Sequence, residues 1–286
     1  MRTAAQRPEP VGNAHCTAAC LLDMDPPGMN RTSAYFWHKW RWLAITSGYV
    51  VFGLFGIVLK IVLLPFTSGL LNQSRAANQK RARSIIQFLW RQFLQYVRLI
   101  GGLNYRFPHH DRLGRPGQVI IANHPSLLDV VFMLAHARQS NCIVKPGLLD
   151  NPFLNSAIRA CGYIPNDGSA QVIDHAVAAL QGGQSILIFP EGTRTGDDNV
   201  ICFHRGACAI ALRGATVITP VIIRMHPRCF KRNQPWYHIP HEKVNYEFII
   251  GDDIDPAHWK SGKHMPAATR QLNAYLQTYF ERELQN

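Results

Sequence analysis

Residues 118–129 read QVIIANHPSLLD, an apolar run followed at once by a polar turn. The run is short and rich in β-branched residues, which predicts a buried strand over 118–122. Proline is favoured at the first position of a helix, and the residue before a proline avoids helical backbone. We therefore expect His124 in extended backbone, Pro125 at the start of a helix, and that helix over 127–138.

Short apolar runs continue to alternate with helical stretches downstream. Further candidate strands are 142–145, 185–189, 216–223 and 244–250, and further candidate helices are 152–160, 170–181, 204–213 and 266–284. This alternation indicates an α/β domain over residues 105–286, with a mostly parallel central sheet flanked by helices.

His124 and Asp129 are five residues apart, and at about 100° per residue a regular helix would point them about 140° apart. If His124 stands just outside the helix, its ring can fold back over the first turn and meet Asp129. A carboxylate bound to one ring nitrogen leaves the other nitrogen as a base, which suggests deprotonation of a substrate hydroxyl. The spacing alone is weak evidence, because a capping histidine with a solvent-facing aspartate gives the same pattern.

A second cluster follows a later strand, where residues 185–195 read SILIFPEGTRT. Catalytic groups in open α/β sheets lie at the carboxyl ends of strands. Gly192 lets a ligand approach the backbone, and Arg194 offers a planar fork for a phosphate or a carboxylate. Glu191 could order Arg194 or the turn. Taken alone, the segment is interpreted equally well as an ordinary turn at the end of a strand.

The N-terminal third contains a long apolar run, since residues 42–66 read WLAITSGYVVFGLFGIVLKIVLLPF with Lys60 as the one charge. A helix of that length measures about 37 Å, enough to cross a hydrocarbon core of about 30 Å. Trp37, Trp40 and Trp42 suit interface anchors. We expect a membrane-embedded segment over 31–66. A buried core helix or a hairpin in one leaflet is the alternative, and the flanking charges do not fix an orientation.

The net charge of +12 is concentrated in one block, because residues 26–110 hold 11 Lys and Arg and no Asp or Glu. Within residues 67–104, apolar positions recur at helical spacing and predict a basic amphipathic helix. Such a helix could bind anionic membrane lipids or an acidic acyl carrier protein, or simply pack on the core. Nucleic acid is a weaker partner, because the block adjoins an apolar run of spanning length.

Two further expectations concern the N-terminus and the cysteines. Residues 1–30 show no periodicity and predict a disordered lead, and the natural chain could instead start at Met24 or Met29. The seven cysteines form no C-x-x-C pair, which favours a reducing compartment over a disulfide framework. The sequence also lacks H-x-H and H-E-x-x-H patterns, so we expect no metal site.

Over residues 100–255 the chain resembles the glycerolipid acyltransferases, the lysophosphatidic-acid-acyltransferase-like enzymes. NHPSLLD matches the N-H-x-x-x-x-D block of that family, FPEGTRT matches its FPEGTRS-type block, and ITPVII at 218–223 matches a later block. The resemblance implies that His124 and Asp129 form the catalytic dyad. It assigns substrate binding to Glu191, Gly192, Thr193, Arg194, Asn123, Gly162, Ile164 and Pro220.

One block departs from the family pattern. Residues 161–169 read CGYIPNDGS, in which Gly162 and Ile164 fit, but Asn166 and Asp167 stand where an arginine usually helps to hold the acceptor's phosphate. An aspartate would repel a phosphate, which leaves room for a non-glycerophosphate acceptor, as in a bacterial subgroup linked to specialised fatty-acid or polyene biosynthesis. His204 replaces a common lysine, and Arg205 could compensate or be plain surface charge.

The resemblance implies a membrane-associated O-acyltransferase of phospholipid biosynthesis without a cofactor. It would move an acyl group from acyl-CoA or acyl carrier protein to a hydroxyl of a lysophospholipid or a glycerol-phosphate-type acceptor. Its place would be the bacterial inner membrane, with the catalytic domain facing the cytoplasm. Two alternatives stay open, namely a thioesterase and a non-catalytic lipid-binding protein.

Overall fold

The computed structural model describes residues 31–67, 74–196, 200–229, 240, 242–262 and 264–285, so the lead expected over 1–30 lies outside it. The α-helices are α1 (Arg31–Thr67), α2 (Arg75–Leu99), α3 (Asp129–His136), α4 (Asn155–Cys161), α5 (Ala170–Gln181), α6 (Gly206–Gly214), α7 (Pro256–Lys260) and α8 (Met265–Gln285). The strands are β1 (Leu103–Arg106), β2 (Gln118–Ala122), β3 (Asn141–Val144), β4 (Ile164–Pro165), β5 (Ile186–Ile188), β6 (Val217–His226) and β7 (Val244–Ile250). Short 3-10 helices cover His110–Arg112 and Pro146–Leu149.

The seven described strands form one sheet in the order β1-β7-β6-β2-β5-β3-β4. Every neighbouring pair is parallel except β6 with β7, which confirms the α/β fold with a mostly parallel sheet. In the centre, Ile121 of β2 pairs with Ile188 of β5 on one side and with Pro220 of β6 on the other. The carboxyl ends of β2 and β5 therefore meet at the same edge.

Helices cover both faces of the sheet. One core lies under α1 to α4 and includes Leu94 and Phe132, and the second lies under α5, α6 and α8 and includes Ile210 and Leu272. Each fully buried side chain of this size contributes about 1.5–3 kcal/mol to folding. Two packed faces explain why β2 is apolar at every position rather than alternating.

Helix α3 is shorter than the sequence predicts. It begins at Asp129 and ends at His136, so Pro125 lies in the preceding extended segment rather than at the first helical position. A turn occupies residues 126–128, where the Ser126 hydroxyl accepts the Leu128 N–H at 3.2 Å. A hydroxyl that bonds nearby backbone competes with helical hydrogen bonds, which delays the start of the helix.

Helix α1 contains a stretch, Tyr35–Phe66, that is long and apolar enough to cross a membrane. Leu59 and Leu63 are fully buried, and Phe52 stacks on Trp90 of α2 at 5.3 Å. Large apolar side chains on the rest of the helix, such as Ile61 at 67% exposure, face outward. The helix therefore lies along the α/β domain on one side and presents an apolar surface on the other.

Candidate active site

His124 and Asp129 meet at the carboxyl end of β2. The Nδ1 atom of His124 lies 2.9 Å from Oδ2 of Asp129. The Asp129 side chain is fully buried, whereas the His124 side chain keeps 15% exposure. Asp129 is also the first residue of α3, where the helix dipole favours a negative charge. The arrangement holds the Nδ1–H tautomer and leaves Nε2 as the basic nitrogen of the ring.

The backbone of His124 is held by the turn that follows β5. The His124 N–H donates to Oε1 of Glu191 at 2.8 Å, and the His124 carbonyl accepts from the Thr195 N–H at 2.8 Å. The ring of Phe189 stacks on the His124 ring with centroids 4.4 Å apart. The FPEGTRT segment, residues 189–195, thus fixes the position of the histidine from both sides of its backbone.

Glu191 is buried, and burial raises the pKa of its carboxyl group above the ordinary value. The hydrogen bond from His124 acts in the opposite direction but is the smaller effect. Glu191 supports the backbone of His124 from behind, and among the described residues it does not line the main cavity.

Asn123 fastens the end of β2 to β6. Its Oδ1 accepts from the Ile223 N–H at 2.7 Å, and its Nδ2 donates to the Ile223 carbonyl at 2.9 Å. Both side-chain groups are therefore occupied by backbone, and the residue is buried. The structure gives Asn123 a role in holding the strand that carries His124.

A cavity of about 580 Å³ opens in front of the dyad. Leu127, Cys142, Val172, Phe189 and Ile210 are among the apolar residues that line it, and His124 lines it as well. Gly192, Thr193 and Arg194 border the same space. Gly192 has φ +64, a left-handed backbone conformation that favours glycine, whereas a Cβ there would make only an ordinary contact with Cδ2 of His204 at 3.4 Å.

The polar part of the cavity is positively charged. Lys145, after β3, joins Arg194 and His204 in lining it, and no acidic side chain does so within the described part of the chain. Sequence reasoning missed Lys145, because nothing in its local pattern marks it; the pairing of β3 with β5 brings it to this edge. An anionic substrate group matches this charge.

Asp167, which the sequence suggested would repel a phosphate, turns away from the cavity. Its carboxylate accepts the Ser169 N–H at 2.9 Å, and hydrogen bonds from Ser169 lower its pKa. Asn166 lines the cavity instead. The departure from the arginine pattern therefore leaves a neutral amide at the cavity and a local turn contact beside it.

Three other residues assigned to substrate binding lie elsewhere among the described residues. Gly162 ends α4 at φ +64 and faces Gln79 of α2, since a Cβ there would clash with the Gln79 side chain at 2.2 Å. Ile164 is buried in β4, and Pro220 sits within β6, paired with Ile121. None of these three residues lines the main cavity, and their assignment to substrate binding stays a prediction.

A second, smaller cavity of about 210 Å³ lies between α1, α2 and β1. Its lining is almost entirely apolar and includes Gly48, Phe52, Phe93 and Val97. Leu127 lines both cavities, so the two spaces adjoin beside the dyad. A chain of methylene groups is the chemistry that such a lining accepts.

Comparison with known proteins shows what this part of the chain is similar to. Residues 105–224 match the family model described as Acyltransferase. The 1-acyl-sn-glycerol-3-phosphate acyltransferase LPAT1, chloroplastic, of Arabidopsis thaliana is 29% identical over 110 residues, which are 37% of this chain and 31% of the relative. The 1-acyl-sn-glycerol-3-phosphate acyltransferase of Helicobacter pylori (strain J99) is 31% identical over 113 residues, 37% of this chain and 48% of the relative. The chain thus spans about a third to a half of the curated relatives it matches.

A solved structure shares the fold. The 1-acyl-sn-glycerophosphate (LPA) acyltransferase PlsC from Thermotoga maritima superposes with a TM-score of 0.65 and 19% identity, over 88% of this chain and 96% of that one. The fold, the family match and the curated relatives agree with the resemblance that the residues suggest. Residues 105–224 match the Acyltransferase family model, and the chain has the fold of a solved 1-acyl-sn-glycerophosphate acyltransferase.

Proposed function

We propose that the chain is a membrane-associated O-acyltransferase that moves a fatty acyl group from a thioester donor to a hydroxyl of a lysophospholipid or glycerol-phosphate-type acceptor. One observation carries the proposal: His124, held by Asp129 at 2.9 Å, lines a cavity whose polar lining is cationic. The domain match and the 1-acyl-sn-glycerol-3-phosphate acyltransferase relatives support the same reaction.

The chemistry follows from the free ring nitrogen. Nε2 of His124 takes the proton of the acceptor hydroxyl, and the oxygen attacks the carbonyl carbon of the thioester. The tetrahedral intermediate then breaks its carbon–sulfur bond and releases a thiolate, which receives the proton from His124. Asp129 stabilises the imidazolium that forms between the two steps.

The acceptor in this proposal carries a phosphate group that the cationic lining of the cavity binds. Lys145 and Arg194 line the cavity, and Asp167 does not oppose them there. A cationic pair of this kind suits a phosphate of the acceptor, and the same groups could contact phosphates of acyl-CoA. Acyl carrier protein remains the alternative donor. A specialised lipid or polyene acceptor without a phosphate would leave these charges unused.

The acyl chain is assigned to the small apolar cavity. That space adjoins the main cavity at Leu127 and is lined by Gly48, Phe52 and Phe93. A thioesterase would use the same acyl pocket but would give the acyl group to water. The cationic lining, which a thioesterase does not need, favours an acceptor over water.

Membrane lipids are the partner assigned to α1 and α2. Outward-facing apolar side chains such as Leu54 and Ile61 lie on the helix whose other face packs on the catalytic domain. This packing favours an α1 that lies in one leaflet with the domain against it. It disfavours an α1 that crosses the membrane away from the domain. Exposed Arg81 and Arg91 on α2 suit anionic headgroups. The proposed cellular location is the cytoplasmic face of a bacterial inner membrane.

Product analysis tests the proposal. The purified chain is incubated with oleoyl-CoA and 1-oleoyl-glycerol-3-phosphate, and the lipids are separated by mass. Phosphatidic acid supports acyl transfer, free oleate alone supports a thioesterase, and no consumption of thioester supports a lipid-binding protein.

A further inference from the structure

Three hydrogen bonds in series connect a tyrosine on β7 to His124. The hydroxyls of Tyr246 and Ser126 lie 2.9 Å apart, and Oγ of Ser126 lies 2.6 Å from Oδ1 of Asp129. Asp129 completes the chain with its 2.9 Å contact to Nδ1 of His124. Sequence spacing does not suggest Tyr246, because it is 120 residues away from Ser126.

The direction of each proton follows from the number of donors. An ionised carboxylate only accepts, so Ser126 gives its single hydroxyl proton to Asp129. Ser126 must then accept at Oγ, and it does so from Tyr246 and from the Leu128 N–H at 3.2 Å. The Ser126 N–H also donates to Oδ2 of Asp129 at 2.7 Å.

We propose that Tyr246 and Ser126 are positioning residues that act on His124 through Asp129. Two hydroxyl groups in series hold the carboxylate ionised and oriented, so that it meets Nδ1 of His124 in one geometry. The inference rests on the proposed role of His124 as the base. It goes beyond the dyad by adding Ser126 and Tyr246, the latter from β7, which lies two strands away from β2 in the sheet.

The surroundings keep this chain of donors in place. Ser126 and Asp129 are fully buried, and Tyr246 is 1% exposed. The Tyr246 ring packs on Phe132 of α3 at 4.7 Å, which joins β7 to the helix that begins with Asp129. Burial, and then the nearby Asp129, raise the pKa of Tyr246 well above its ordinary value. The phenol is therefore a neutral donor throughout the working pH range.

Loss of a donor has a predictable sign. An Asp129 carboxylate with fewer hydrogen bonds carries more negative charge next to His124, which stabilises the imidazolium. The pKa of His124 then rises, and the acid limb of the kcat/KM profile moves to higher pH. A tyrosine or serine that served packing alone would change the melting temperature without moving this limb.

Other titratable groups surround the pair and stay unchanged in the variants below. They are Glu191 and Arg194 after β5, Lys145 after β3, His204 before α6, Cys229 after β6 and Tyr49 on α1. Their influence on His124 is therefore common to every variant compared.

The test uses the full chain in detergent micelles and the variants Ser126→Ala, Tyr246→Phe and their combination. Ser126→Ala should lower kcat about 10- to 100-fold and raise the acid-limb pKa by about 1, as for one lost charge-assisted hydrogen bond. Tyr246→Phe should lower kcat about 3- to 10-fold and raise the acid-limb pKa by a smaller amount. In the Ser126→Ala background, Tyr246→Phe should add less than about twofold, because its path to Asp129 is already gone.

Tyr105→Phe is the matched control. Tyr105 is the strand partner of Tyr246 in β1, and its ring packs on the same Phe132 at 5.0 Å. This variant should leave the acid limb where it is in the wild-type chain.

A second readout tests the relay, meaning the hydrogen bonds from Tyr246 through Ser126 and Asp129 to His124, separately from the reaction. The pKa of His124 is measured by nitrogen-15 histidine NMR, with the His124→Asn spectrum assigning the signal. If the wild-type chain transfers no oleoyl group to 1-oleoyl-glycerol-3-phosphate, the proposed function fails while the NMR titration still tests the relay. The positioning role of Tyr246 and Ser126 would be overturned by an unchanged His124 pKa in folded Ser126→Ala. Fully additive effects of the two substitutions on kcat would overturn it as well. If Tyr246→Phe does not fold, as judged by circular dichroism, Ser126→Ala decides alone.

Discussion

The carboxylate of Glu191 accepts a hydrogen bond from the backbone N–H of His124 at 2.8 Å. This contact joins the turn after β5 to the end of β2, although the two residues are 67 positions apart. The contact favours a supporting role for Glu191, whereas the family resemblance implies acceptor binding. The two roles make different predictions.

Glu191→Gln keeps a carbonyl oxygen that can accept the His124 N–H. We expect this variant to retain the acceptor KM within about threefold, whereas Glu191→Ala should lose about 1–3 kcal/mol of unfolding free energy because a buried N–H is left unpaired. Kinetics and denaturant unfolding measure both effects. A KM for 1-oleoyl-glycerol-3-phosphate that rises at least tenfold in Glu191→Gln, with unchanged stability, would restore Glu191 to acceptor binding.

The raised pKa of Glu191 gives a pH-dependent stability. A carboxyl group whose pKa is higher in the folded chain than in the unfolded chain binds its proton more tightly in the folded chain. Its ionisation therefore destabilises the fold. This destabilisation is absent at low pH and grows as the pH rises from the unfolded pKa through the folded pKa. Glu191→Gln has no such charge. Its melting temperature relative to wild type should therefore increase from pH 4 to pH 8. A constant difference across that range would show that ionisation of Glu191 costs nothing.

Arg194 and Lys145 should set affinity for a phosphate-bearing acceptor. Because each removes one charge-assisted contact, Arg194→Ala and Lys145→Ala should raise the KM for 1-oleoyl-glycerol-3-phosphate about 10- to 100-fold. Transfer to monooleoylglycerol, which lacks the phosphate, should change far less. Arg213→Ala is the control, because Arg213 pairs with Asp174 on the surface at 2.8 Å. Equal losses with both acceptors would contradict a phosphate subsite here.

Gly48 should leave room for the acyl chain, so that a larger side chain at this position limits the chain length. A Cβ at Gly48 would lie 3.7 Å from Val97, an ordinary contact, so a larger side chain can be built into the apolar cavity. Gly48→Leu should shift the preferred donor towards shorter acyl chains by filling that space. The matched control is Gly53→Leu on the same helix, where a Cβ has nothing within 4 Å. Competition between octanoyl-, palmitoyl- and oleoyl-CoA measures the preference, and an identical profile in both variants would place the acyl chain elsewhere.

The outer surface of α1 should bind lipid. Leu54→Glu and Ile61→Glu place charges on side chains that are 55% and 67% exposed, so the fold should survive while insertion into hydrocarbon becomes costly. Flotation with phosphatidylglycerol-containing vesicles should show a large loss of bound protein. Tyr275→Glu on α8, 43% exposed, is the control. Undiminished flotation of the double variant would remove α1 from the membrane contact.

Much of this architecture is readable from local patterns, because the strand patterns at 118–122 and 244–250 and the helical pattern at 170–181 need no partner to be recognised. The two-residue strand β4 was missed, since so short a strand owes its geometry to pairing with β3. The first strand, β1, was missed as well, since only pairing with β7 makes it part of the sheet.

The site divides in the same way. The proximity of His124 and Asp129 follows from five residues of local sequence, once a turn separates the histidine from the helix. Tyr246 and Lys145 reach the site through the order of strands in the sheet, which no single segment encodes. The serine in NHPSLLD lies between the two cases, because its donor is distant and its acceptor is three residues away.

The central claim is that His124, oriented by Asp129, is the base that activates the acceptor hydroxyl. His124→Ala and Asp129→Asn are compared with wild type in the transfer of labelled oleate from oleoyl-CoA to 1-oleoyl-glycerol-3-phosphate, with folding checked by circular dichroism. General-base catalysis predicts that kcat falls about 100- to 10,000-fold in each variant, while the acceptor KM changes little. Phosphatidic acid formed at the wild-type rate by both folded variants would contradict the account.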